Sequence, residues 1–208
     1  MQIRELGRET WPDFARIVEK HNGVWSGCWC VAFHARSGEP DTAASNRAYK
    51  EKLVWANQSH SALVYEGDDV VGWCQFGPPT ELPARMGRLS KLGVDPPDWR
   101  ITCFFVDRNR RRQGVAEAAL AGALRIIAAS GGGTVDGYPI ATRGRPYSNS
   151  FLWAGVESMF ADAGFRPILS LGKSKLVMRK VVRRRAPAGV AMKSRPEAKR
   201  PQAGASTS

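Results

Sequence analysis

Histidine and cysteine are scarce, three and four residues in 208. Cys28, Cys30, Cys74 and Cys103 stand in a chain large enough to bury a core without covalent staples, so reduced thiols are expected. Cys28-Trp29-Cys30, with His21 and His34 close by, invites a metal site, but no second ligand pair follows at zinc spacing, and no metal is expected. Uninterrupted apolar runs of about 18 residues are also missing, which disfavours a spanning helix. The opening MQIRELGRET is charged where a signal peptide would be apolar, so the chain reads as cytoplasmic. There is no GxxxxGK[ST] phosphate loop, and the glycines of GGGTVDG (131–137) follow a helical pattern where a dinucleotide fingerprint would follow a strand.

Acid is short relative to base. Nineteen Asp and Glu against 31 Lys and Arg leave a formal charge of +12, which points to an anionic partner or a phosphate-rich ligand. Seven basic residues and one acid lie in 183–208, so half of the excess belongs to the last 26 positions and half to 1–182. That segment has no aromatic residue and three prolines, cannot bury enough apolar surface to offset its ordering entropy, and reads as a disordered tail. Its composition reads first as a solubilising extension and second as an electrostatic tether to nucleic acid, ribosome or acidic membrane.

With 43% hydrophobic and 24% charged residues, positions 1–182 fit one globular domain. Thr10, Pro12 and Asp13 predict a helix from about 12 to 21 stopped at Gly23, and Asp41 or Thr42 caps a second helix to about 57, with Ala48, Leu53 and Trp55 on its apolar face. Ser61 to Gly77 reads as a hairpin about Gly67-Asp68-Asp69. Residues 80–98 resist assignment. Ile101 to Val106 is a buried strand by length and composition, Ala116 to Ala129 a helix, Thr134 to Tyr138 a strand, Phe151 to Ala163 a helix, and 167–182 a closing hairpin.

The strand ITCFFV, the turn DRNRRRQG and the helix after it form the most informative unit. A helix start offers main-chain N–H groups without intrahelical partners and the positive end of a dipole, so an anion placed there collects hydrogen bonds. Gly114 presents no Cβ to keep a phosphate off the backbone, Ala116 is small, and Arg108, Arg110, Arg111 and Arg112 add charge. A solvated basic turn would look the same at Gly114 alone. The complete pattern, buried strand, [QR]-x-x-G-x-[GA] at 111–116 and amphipathic helix, resembles motif A of the GNAT superfamily of N-acetyltransferases.

The resemblance extends to the element order over roughly 1–182. It implies an α/β (α+β) fold with a mixed, mostly antiparallel central sheet flanked by helices, followed by the disordered basic tail. It also implies acetyl-CoA as co-substrate: the diphosphate on the N–H groups of Arg112, Gln113, Gly114, Val115, Ala116 and Glu117 with Arg111 at the signature position, and the pantetheine arm along Phe104, Phe105 and Val106. The Val106 N–H would then face the thioester carbonyl. An amine with pKa near 10.4 is only about one part in 10³ neutral at pH 7 and needs a proton acceptor, for which Asp136 stands first, ahead of Glu66 and Glu81.

The family's leaving-group tyrosine position holds Phe160, leaving Tyr138, Tyr147 or water to protonate the thiolate, and its frequent mid-helix Asn is replaced near Trp153. Trp25, Trp29, Phe33 and His34, with the 80–98 loop, occupy the region where the family builds its acceptor cleft, though those aromatics also suit a core. The absence of an acidic run argues against polyamine or histone-tail acceptors. The expected activity is acetyl transfer to an unidentified small-molecule or peptide amine. An idle CoA-binding sensor, and a nucleic-acid-associated protein using turn and tail, remain alternatives, with a monomer or homodimer equally open.

Overall fold

The structure is a computed structural model. It describes residues 1–185 except 37, 39, 145, 146 and 148, with only the backbone described at 149–151. The tail beyond Arg185 lies outside the described residues. Seven strands form one sheet in the order β1-β2-β3-β4-β5-β7-β6: β1 Gln2–Glu5, β2 His60–Glu66, β3 Asp69–Gly77, β4 Trp99–Val106, β5 Gly133–Gly137, β6 Arg166–Leu171 and β7 Lys175–Val182. Every neighbour pair is antiparallel except β4 with β5. The helices are α1 Trp11–Lys20, α2 Ala43–Trp55, α3 Met86–Ser90, α4 Val115–Ala129 and α5 Glu157–Asp162, with 3-10 turns at Arg108–Arg110 and Asn149–Ala154. No described helix is long and apolar enough to cross a membrane.

Alternation along the strands divides the interior between the two faces of the sheet. Ile101 and Phe104 of β4 pack with Leu120 of α4 and with Phe160. Cys103 and Phe105 turn the other way, joining Phe14 of α1, Trp29 and Trp73. Each large side chain so buried contributes about 1.5–3 kcal/mol. The segment between α1 and α2 holds Asn22, Val24, Trp25, Ser26, Trp29 and Cys30 in left-handed backbone conformations. Trp29, 3% exposed, lies 6.0 Å from the Trp11 ring and 6.4 Å from that of Phe14, and this wedge fixes the chain there.

Three expectations are corrected. β1 was not anticipated: QIRE is a charged edge strand paired only to β2, with Ile3 as its one residue packed against the core. The face of α2 that packs inward is Asn46, Lys50, Leu53 and Val54, while Ala48 and Trp55 are exposed, because Asn46 and Lys50 find partners in Gly27 O (2.8 Å) and Ser59 Oγ (2.6 Å). The helix expected over 151–163 is divided at Gly155, whose φ of +77° ends the 3-10 turn before α5 begins.

Asp136 of β5 is fully buried and faces Arg179 of β7 across the ladder, Arg179 Nε donating to Oδ1 at 2.7 Å and Nη2 to Oδ2 at 2.9 Å. Removing one member of a buried, hydrogen-bonded ion pair strands the other charge. Asp136→Ala is expected to lower unfolding stability by about 3–5 kcal/mol, and the apolar pair Asp136→Leu with Arg179→Met to recover most of that loss, read from urea midpoints.

Candidate active site

β4 keeps β3 along its length but leaves β5 early. Its parallel pairing with β5 spans only Trp99↔Val135, Arg100↔Asp136 and Ile101↔Gly137. On the other side, Gln75 pairs with Cys103 and Phe76 with Ile101, so Thr102 is an extra residue opposite β3, a bulge that bends the strand where the two part. Its buried Oγ1 has no hydrogen-bond partner. Gly137 marks the last rung because Phe160 fills the gap: a Cβ on Gly137 would stand 2.0 Å from the Phe160 ring.

The ladder phase determines which β4 amides are free. Asp107 N–H donates to Val71 O at 2.9 Å, so Asp107 faces β3, and in an antiparallel ladder its neighbour Val106 directs N–H and C=O to the opposite side. Phe104, two residues back, does the same. Phe105 does not: its main chain is in phase with β3 and its ring stacks on Trp73 at 4.5 Å, so of the three residues expected to flank a pantetheine, Phe105 serves the core.

Beyond Val106 the chain enters the basic turn. Asp107 caps the 3-10 turn through Asn109 N–H at 3.0 Å and receives Lys20 Nζ at 2.8 Å, with His21 Nε2 at 3.4 Å, tying the turn to α1. Burial opposes the Asp107 charge, yet these donors hold the carboxyl well below the usual carboxylate range. Arg110 is pinned to Glu66 at 2.6 Å, and Gln113 Nε2 donates to Asn109 O. Arg111, Arg112, Gln113, Gly114 and Glu117 are exposed, Ala116 is half-buried, and Val115 seats in the core. Gly114 takes φ +77°, and a Cβ there would meet nothing within 4 Å. The space beside Gly114, at the opening of α4, is therefore clear of described residues.

Over the N-terminal half of β4 lies an aromatic and cationic group. Arg100, 1% exposed, donates to the carbonyls of Leu82 and Ala84 and, through Nε, to Tyr138 Oη at 3.0 Å. Burial pushes the Tyr138 phenol up against the opposing pull of Arg100, so it stays protonated. Phe33 lies 5.7 Å from Trp153, and Arg85 sits over both rings. An open cavity of about 300 Å³ between Pro79, Met86, Val94 and Pro96 adjoins the 80–98 segment, where α3 was unforeseen.

The other expected site residues are placed differently. Trp29 is core. His34 is 6% exposed and accepts at Nε2 from Gln75 Nε2 (3.1 Å), with Ser59 Oγ at 3.3 Å. Burial, with Lys50 nearby, drives its pKa down to about 3, so it stands as a neutral ring inside the fold. Asp136 has both oxygens on Arg179, Glu66 is held by Arg110, and Glu81 lies 3.4 Å from His60 Nε2, so each candidate base already faces a cation. Tyr147 is half-buried. Beneath β4, the Cys30 and Cys103 sulfurs are 3.6 Å apart, and the Cys103 thiol draws that of Cys30 down to about 7. Among the described residues no three His, Cys, Asp or Glu side chains gather as a metal-ligand set.

Comparison with known proteins identifies the family. The family described as Acetyltransferase (GNAT) matches residues 9–135. No curated protein matches. Among solved structures, a protein described as an acetyltransferase of the GNAT family from Desulfovibrio desulfuricans aligns at TM-score 0.51 and 19% identity over 87% of this chain and 98% of its own. An N-acetyltransferase from Staphylococcus aureus Mu50 gives 0.50 and 14% over 88% and 98%. At such identities the likeness speaks to the fold.

Two histidines, buried His34 and half-buried His60, bracket the stable pH range. His34 binds a proton less readily folded (about 3) than unfolded (6.5), so stability falls as pH drops from about 6.5 towards 3. His60, opposed by burial but raised to about 9 by Glu5 and Glu81, contributes fully below 6.5, and that contribution is lost as pH rises through 9. In urea unfolding across pH, His34→Gln is expected to flatten the acid limb and His60→Gln the alkaline one; unchanged limbs would refute these assignments.

Proposed function

The chain belongs to the GNAT acetyltransferase family, and from that premise we propose that it carries an acetyl group from acetyl-CoA to the amine of a small molecule or peptide. The observation that carries the reading is continuous main chain: the β4 edge abandoned by β5 runs through Asp107 directly into the amides that begin α4. The residues fit a diphosphate, since no described residue fills the space at Gly114 and Arg111 and Arg112 are exposed in the same turn.

In this reading the amides from Arg112 to Glu117 hold the diphosphate, and Phe104 and Val106 hold the arm as an added strand would be held. Bound acetyl-CoA supplies the activated acyl group. The Val106 N–H, fixed by the ladder before substrate arrives, stabilises charge developing on the thioester oxygen, a contribution of about 3–4 kcal/mol for such a donor. The N–C bond forms as the C–S bond breaks. With Asp136, Glu66 and Glu81 held against cations, the amine's proton passes to water. Tyr138, held through Arg100 and still protonated, supplies a proton to the departing thiolate in place of Phe160, which is fully buried. Four free cysteines suit a reducing cytoplasm.

The buried phenyl ring at 160 also supports a second reading, a CoA-binding module without turnover. Thiol release from acetyl-CoA across an amine panel separates the two: release supports transfer, and silence with tight CoA binding supports the module. Calorimetry with CoA tests the shared premise. Gly114→Ala is expected to cost about 1 kcal/mol of stability from its left-handed φ, without a clash, yet to weaken CoA binding at least tenfold by placing a methyl in the cradle. Equal affinity for wild type and variant would remove the diphosphate from this turn.

A further inference from the structure

Two cations share one indole, and among the described residues no acid pairs with either. Arg85 Cζ lies 5.7 Å from the centre of the Trp153 ring, and Lys175 Nζ lies 4.5 Å from it. The two are close enough that, after its partial burial, the charge on Arg85 is what lowers the Lys175 pKa. Several other cations around the sheet do face an acid: Arg16 meets Asp13, Lys20 Asp107, Arg47 Glu19 and Glu51, Arg110 Glu66, and Arg179 Asp136. Among the described residues, the charged ends of Arg85 and Lys175 have no side-chain hydrogen bond or ion pair and lie against the rings of Phe33 and Trp153.

Their placement is built by the fold. Arg85 stands in the left-handed region at φ +68° and opens α3, a conformation that costs a non-glycine residue about 1–2 kcal/mol. Lys175 starts β7 and bridges Ile140, just past Tyr138. Trp153 belongs to the 3-10 turn that packs on β4, and Phe33 joins it to Arg100, whose strand neighbour across the ladder is Asp136. Through Trp153, Phe33 and Arg100 the pair of cations is linked to the stretch of β4 that ends its pairing with β5. Like charges held together beside an aromatic wall are relieved by one anion between them, and a guanidinium with an ammonium matches the oxygens of a carboxylate or phosphate.

We propose that the acceptor is an amine that itself carries an oxyanion, bound by Arg85 and Lys175 against Trp153 while the amine is presented at the β4–β5 opening. This rests on the acetyl-transfer reading for the amine, and on the side-chain geometry alone for the anion. It confines the substrate to amino-acid-like or phosphorylated amines, and sets simple monoamines and amides at a disadvantage.

The test compares matched probes. Thiol release from acetyl-CoA is measured for phenylalanine against phenylalaninamide and for phosphoethanolamine against ethanolamine, and calorimetry reads binding of the four N-acetylated products without turnover. At least one acid is expected to exceed its neutral partner about tenfold in both assays, and the pair that does so tells carboxylate from phosphate. In Arg85→Gln with Lys175→Gln that preference is expected to fall to about one while CoA still gives heat. Equal binding of acidic and neutral probes by the wild type, or a preference that survives in the double variant, overturns the anion site. Loss of CoA heat from the wild type with the binding preference intact instead overturns the acetyl-transfer reading and leaves the anion site in place.

Discussion

The parting of β4 from β5 after Ile101 is the constraint around which the rest is arranged. A central strand normally satisfies its amides on both sides; here β4 must keep one neighbour and release the other. The Thr102 bulge supplies the bend, and Gly137 lets the Phe160 ring close the gap from below. The Asp136–Arg179 pair keeps β5 fastened to β7, so that the separation stays confined to one seam. Asp107, capping the next turn and held by Lys20, passes that rigidity to the amides of α4.

Much of this was legible in the letters because it depended on local pattern. ITCFFV announced a buried strand, QGVA a helix opening with a glycine, and SALVYEGDDVVGWCQFG a hairpin, and the structure places all three within a residue or two. What could not be read depended on partners distant in sequence. Nothing in QIRE marks a strand until β2 is there to receive it. Asn46 and Lys50 look like surface residues until Gly27 and Ser59 come round to meet them. The helix at 151–163 had the right composition, but the break at Gly155 reflects the crowding of Met159, Phe160 and Phe104 around it.

The same distinction separates the two halves of the candidate site. The turn proposed to hold the cofactor is a short local motif, and the structure places its strand, turn and helix as the letters imply. The acceptor side was not legible in this way: Trp29 and His34 share the right segment with Phe33, yet only Phe33 reaches the cluster at Trp153, and the partners that make the cluster, Arg85, Arg100, Tyr138 and Lys175, come from four separate stretches. Position in the sequence marks Asp136, Glu66 and Glu81 as candidate bases, but tertiary structure gives each a cation.

In the proposed reading, main-chain amides at Val106 and at the opening of α4 do the recognising, and every residue type but proline carries one. Side chains along that path answer mainly to packing and solubility, so their identities can drift over generations while the amide geometry persists. A fold shared at 19% identity is what such a division of labour permits. Selection then acts on the chain's curvature more than on its alphabet.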